Sequence, residues 1–166
     1  MQKRFQIVSL LFCISLFACD LDDDDNEIEL FGPSEEGSTL IFGHFFGFCI
    51  GESCIEIFKL QNGLLFEDSL DLYPNSSSPY DGEYTVLSNE KYQIANDLFL
   101  SFPTELLDET DTIIGAPDAA DGGGIYIEVI QGGKRRYWLI DQMKNNIPEY
   151  LHPFIDDVNN TIQQLQ

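Results

Sequence analysis

The residues whose types and spacing can do chemistry fall into three short stretches. The first is "FCIGESCIE", with Cys49 and Cys54 separated by four residues. Outside a reducing compartment such a pair oxidises. Residues that face each other near the end of a hairpin have Cα atoms about 4.5–5.5 Å apart, within disulfide reach. A redox pair is more often C-x-x-C at a helix start. A metal site needs two further ligands, and His44 alone does not complete one. The expectation is a structural Cys49–Cys54 disulfide. The second stretch is "GAPDAADGGG", which sets Asp118 and Asp121 among small residues and glycines. Three readings stay open there. Two carboxylates with backbone carbonyls can hold calcium or another ligand. Paired carboxylates can share general acid and base work in a small hydrolase. Aspartate and glycine also build turns that need left-handed backbone. The third stretch is Lys134-Arg135-Arg136, either paired with the chain's own acids or offered to lipid headgroups, polysaccharide or an acidic partner.

Other candidates are weaker. "GESCI" puts Ser53 after Gly51 but lacks the second glycine of a nucleophile elbow. His44 lies in an aromatic run and His152 between prolines and a helical stripe, positions typical of structural histidines. The chain has no H-E-x-x-H, P-loop or dinucleotide fingerprint.

These residues must be positioned by hairpins and helices. Residues 39–48, "TLIFGHFFGF", alternate Leu40, Phe42, His44, Phe46 and Phe48 against Ile41 and Phe45, a strand pattern. Residues 54–60 predict its partner, and Asn62-Gly63 a hairpin turn into a strand from Leu64 to Phe66. "YPNSSSPYDG" reads as loop, and 83–87 as a short strand. A helix is predicted over 89–101, capped by Ser88, with Glu90 near its positive end and Pro103 as its stop. "GIYIEVIQ" and "KRRYWLID" flank Gly132-Gly133, the clearest hairpin in the chain. A last helix starts at Pro148 or Pro153 and buries Ile155, Val158, Ile162 and Leu165. The fold class expected is α+β: an antiparallel sheet built from hairpins, with two helices packed on one face.

The N-terminus is of another kind. Lys3 and Arg4 precede an apolar run from Phe5 to Phe17, too short to span a bilayer. A basic start and a short apolar core mark a secretory signal peptide. The run ends Leu16-Phe17-Ala18-Cys19, which resembles the lipobox of bacterial lipoproteins. The resemblance covers residues 1–19 only. It implies cleavage before Cys19, acyl chains on Cys19, and a mature protein anchored to the lipid bilayer. Cys13 is lost with the leader. The expected division is a signal peptide over 1–18, a lipidated acidic tether over 19–38 and one α+β domain over 39–166. Acids directly after the Cys resemble a surface-export signal of Gram-negative lipoproteins; Asp20 alone resembles instead an inner-membrane retention signal, and the further acids that follow it favour the outer membrane and the cell surface. Asp20, Asp22 and Asp24 match alternate positions of a calcium loop, but Asp25 replaces its glycine and Phe31 its final glutamate.

The chain has 166 residues and a formal charge of -21. Loss of residues 1–18 removes Lys3 and Arg4 and no acid, leaving 6 cations against 29 acids, or -23. Such a charge disfavours nucleic acid and suits a basic protein or peptide partner. Hydrophobic content of 43% and aromatic content of 13% supply a real core. With no complete catalytic set, the residues favour a binding or accessory module over a carboxylate-dependent hydrolase.

Overall fold

A computed structural model describes residues 37–166. The signal peptide, Cys13, Cys19 and all but the end of the expected tether lie outside the described residues. Seven strands form one sheet: β1 (Thr39–Phe45), β2 (Ile55–Gln61), β3 (Leu64–Asp68), β4 (Tyr84–Val86), β5 (Ile113–Ile114), β6 (Gly124–Gln131) and β7 (Lys134–Asp141). Their order is β4-β3-β2-β1-β6-β7-β5, antiparallel throughout except for β5 against β7. The α-helices of the described residues are α1 (Asn89–Ala95), α2 (Leu98–Ser101) and α3 (His152–Leu165). The α+β class expected from the sequence is the class observed.

The sheet has two buried faces. On one, Leu40, Phe42, Phe58, Ile127 and Trp138 meet Leu98, Phe99, Phe154, Ile155 and Val158 of the helices. On the other, Ile41, Phe45, Ile57, Tyr126 and Leu139 pack with Tyr80. Tyr80 belongs to the segment 69–83 between β3 and β4. That segment reads as a polar loop in the sequence, yet it buries Pro74 and Tyr80 and acts as a cover. β1 and β6 are therefore almost wholly buried on both sides.

Several boundaries differ from expectation. The helix over 89–101 is broken into α1 and α2 at Asn96 and Asp97, whose short polar side chains compete for backbone bonds in a helix interior. Ser88 caps α1, its hydroxyl accepting from the Lys91 N–H. Both prolines work as starts: Pro148 precedes a single 3-10 turn, and Pro153 sits in the first turn of α3. β5 was not expected at all. It is two residues long and gives no periodic signal. At the other edge β4 has three residues, so both sheet edges are short, which limits edge-to-edge pairing.

Chain direction fixes two ends of the sheet. Thr39 of β1 is level with Gln61 and Ile130, beside the turns Asn62-Gly63 and Gly132-Gly133. All four turn residues have positive φ, as the tight hairpin turns require. Phe45 is level with Ile55 and Gly124, at the opposite end. Seven residues of strand separate chain entry from that loop-bearing end, about 20 Å at 3.4 Å per residue. Among the described residues, no helix is long and apolar enough to cross a membrane.

Candidate binding face

Asp118 organises the loop-bearing end. Its Oδ2 accepts from the Gly47 N–H (2.9 Å) and from the Tyr73 hydroxyl (2.8 Å). Its Oδ1 accepts from the Gly123 N–H (3.0 Å). One carboxylate thus joins the loop after β1, the cover segment and its own loop before β6. Burial, and then the Asp118 carboxylate, push the Tyr73 hydroxyl up to about 12.

The backbone around Asp118 is unusual. Asp118, Ala120 and Asp121 have φ of 58°, 53° and 62°. Left-handed backbone costs a non-glycine residue about 1–2 kcal/mol. The Asp118 N–H to Gly123 C=O bond (2.7 Å) closes the loop over that strain. The glycines have a packing reason. A Cβ on Gly123, whose φ is +73°, would overlap the Phe46 ring, and a Cβ on Gly124 would overlap the Phe45 ring. The close approach that glycine permits is thus taken by the chain's own aromatics. Asp121 is exposed, whereas Asp118 is half-buried.

The disulfide loop lies alongside. Cys49 and Cys54 are bonded, with Cα atoms 5.6 Å apart. The Phe46 N–H donates to the Cys54 carbonyl (3.0 Å), one step beyond the Phe45–Ile55 pair. The strand expected to reach Phe48 stops at Phe45, because the Gly47–Asp118 bond pulls the chain out of the sheet. Phe48 is therefore 85% exposed and Ile50 fully so. Leu72, Tyr73, Ile113 and Met143, near the same end, are each about half exposed. Large apolar residues gathered on a surface are informative in a way that scattered ones are not.

Between these loops runs a cleft of about 440 Å³. Phe45 and Leu139 line it from the sheet, with Tyr73–Ser76 on one side and Ile113, Ala116 and Pro117 on the other. Its sides are pinned. Phe45 and Tyr73 meet edge to face at 5.1 Å. The Tyr137 hydroxyl donates to the Ser76 carbonyl (2.9 Å). The Ala116 N–H donates to Asp141 Oδ2 (3.1 Å), and buried Asp141 also accepts from Met143 N–H and Asn146 Nδ2.

Beneath the cover lies a polar chain of contacts. Glu128 is fully buried and pairs with Arg135. The Tyr126 hydroxyl donates to Glu128 (2.5 Å) and accepts from the Tyr80 N–H (2.8 Å). Arg135 also donates to the Tyr80 carbonyl (2.7 Å). The Tyr80 hydroxyl donates to Asp68 (2.6 Å) and accepts from the Leu72 N–H (2.9 Å). Burial first, and then these carboxylates, raise the hydroxyl pKa values of Tyr80 and Tyr126.

The cations are largely committed. Arg135 serves Glu128, and Arg136 donates to the Leu107 and Glu109 carbonyls and lies over the Trp138 ring at 5.1 Å. Lys59 sits 3.9 Å over the Tyr84 ring, Lys91 donates to the Leu165 carbonyl (2.6 Å), and Lys144 pairs with Asp156 (2.5 Å). Lys134 is exposed at the Gly132-Gly133 turn. Residues 37–166 hold 20 acids and 6 cations, a net -14, so most surface carboxylates have no cation to balance them.

Both histidines meet backbone carbonyls. His44 Nε2 lies 3.1 Å from the Ser53 carbonyl, so the ring meets the backbone of that residue. Burial lowers the His44 pKa. His152 Nε2 lies 2.8 Å from the Lys144 carbonyl. Among the described residues, no three His, Cys, Asp or Glu side chains are grouped to hold a metal ion. The sequence reading missed Tyr73, Phe48 and Ile50. A tyrosine beside "PNSSSP" and apolar residues inside a disulfide-closed loop are the only signals that mark them. No protein-family model matches the chain, and no curated protein matches it.

Proposed function

We infer that this chain is a lipid-anchored protein of the bacterial envelope, held at the outer membrane and facing outward, and that residues 39–166 are a non-catalytic binding or accessory module. The lipobox-like Leu16-Phe17-Ala18-Cys19 supports the anchor. Two or more acyl chains hold a protein stably to a bilayer, at about 0.8 kcal/mol per buried methylene. The observation that carries the binding reading is the set of exposed apolar residues, Phe48 and Ile50 foremost, on loops pinned by Asp118. They stand at the end of β1 away from chain entry, where an anchored domain meets other molecules.

Two measurements on the full chain in its native cell test this. A Cys19→Ala precursor should lose its acyl chains and leave the membrane fraction; unchanged anchoring would overturn the lipoprotein reading. A photoreactive residue at Ile50 should give discrete cross-linked adducts that the same residue at Asn62, at the entry end, does not. Equal adducts from both positions, or none from Ile50, would overturn the binding face.

A further inference from the structure

We propose that the cleft beside β5 takes an extended, positively charged peptide segment, which pairs with the outer edge of β5 and seats one apolar side chain over Phe45 and Leu139. This rests on the binding reading and names the partner's chemistry. The backbone supplies the first argument. The Thr112 carbonyl accepts from the Leu139 N–H (2.8 Å), so it points into the sheet. Strand alternation then turns the N–H and C=O of Ile113 outward. β5 closes the sheet order, so among the described residues no strand covers that side. An extended peptide can take both groups, as in strand addition to other sheet edges.

Shape supplies the second. Ile113 lines the cleft, and most of the lining is carbon. The Asn75 carboxamide oxygen, at its rim, already accepts from the Ser77 and Ser78 N–H groups. The sides are held by the Tyr73–Asp118 and Tyr137–Ser76 bonds, so little ordering remains to be done on binding.

Charge supplies the third. Asp108 and Asp111, both exposed, lie on the approach to β5, and Asp121 is exposed in the neighbouring loop. No cation lines the cleft. Lys134 of β7 is at its far end, and Arg135 and Arg136, which border Thr110, Asp111 and Thr112, are engaged by Glu128 and by the Leu107 and Glu109 carbonyls. A second copy of this chain would bring the same excess of acid, so a basic segment is the occupant that this field attracts.

The test uses the full-length protein in detergent and two pools of nine-residue peptides. In both, the central residue is varied among apolar types. One pool has lysine or arginine at alternate positions, the other glutamate. The basic pool should bind at least tenfold more tightly, and 1 M salt should remove most of the difference. Amide exchange on the unmodified protein should slow at Ile113 on peptide addition. Ile113→Lys should weaken binding tenfold or more while the melting curve stays unchanged. Equal binding of the two pools, or slowed exchange confined to other segments, overturns the proposal even if Ile113→Lys does not fold. If Ile50 still gives its specific adducts in cells, only the peptide proposal fails; loss of those adducts removes the binding reading as well.

Discussion

Tyr73 and Asp118, 45 residues apart in sequence, meet at 2.8 Å and tie the cover segment to the loop that leads into β6. The same carboxylate holds Gly47 and Gly123. Asp118→Ala would leave three donors without their acceptor. The site is partly open to water, so the expected loss is about 1–3 kcal/mol, read in urea melts. Asp118→Asn keeps one acceptor oxygen and should lose less. An alanine variant as stable as the parent would contradict the organising role.

Glycine positions separate by what surrounds them. Gly123→Ala forces a Cβ into the Phe46 ring and onto left-handed backbone, whereas Gly132→Ala meets open space and backbone strain alone. Gly132→Ala should therefore cost about 1–2 kcal/mol, and Gly123→Ala clearly more. Equal losses in parallel thermal melts would mean that Phe46 moves aside freely.

Arg135→Ala strands the buried Glu128 carboxylate. Breaking a buried pair costs about 3–5 kcal/mol, and the half-exposed arginine places this pair at the low end of that range. Adding Glu128→Gln should recover part of the loss, because the unpaired charge is then gone. A double variant no more stable than Arg135→Ala would show that the arginine acts by packing alone.

Two tyrosines on the covered face should respond oppositely. Tyr126→Phe removes a hydroxyl bonded to Tyr80 and Glu128, with an expected cost of about 1–3 kcal/mol. The Tyr84 hydroxyl is buried and, among the described residues, has no hydrogen-bond partner. Tyr84→Phe should be neutral or stabilising in the same denaturant series.

Stability should fall on both sides of neutrality. The hydroxyls of Tyr73, Tyr80, Tyr84, Tyr126 and Tyr150 are all raised from the ordinary value of 10.0, chiefly by burial. Folding favours their protonated forms, so their contribution is intact below pH 10 and is lost as pH climbs above it. Tyr73, raised to about 12, should be the first of the five to ionise in the folded protein. Absorbance of tyrosinate should rise steeply at alkaline unfolding, and Tyr73→Phe should remove the earliest part of the delayed signal. His44, lowered from 6.5 mainly by burial, works in reverse. Its contribution is intact above 6.5 and is lost as pH falls through the lower folded value, which a His44→Gln acid titration would isolate.

Local signals were legible where the sequence itself determines them. The β6–β7 hairpin is written in Gly132-Gly133 and its flanking strands. Cys49 and Cys54 announced their bond by spacing. The extent of β1 was not legible, because Gly47 leaves the sheet to reach an aspartate 71 residues away. Nor was the cover segment, whose two buried residues among serines leave no period to detect. Gly123 and Gly124, at the entry to β6, were visible, but their reason was not, since the aromatic rings they accommodate come from β1 and the residue after it.

The position of β1 has a mechanical consequence. It is paired along its whole length with β2 on one side and β6 on the other. A pull between the N-terminal segment and anything held at the loop-bearing end acts along this strand. Both ladders are then loaded in shear, and their hydrogen bonds must yield together instead of unzipping one at a time. Resistance to force is set by the unfolding rate, so a domain tugged at one end and loaded at the other should hold its shape longest along this axis.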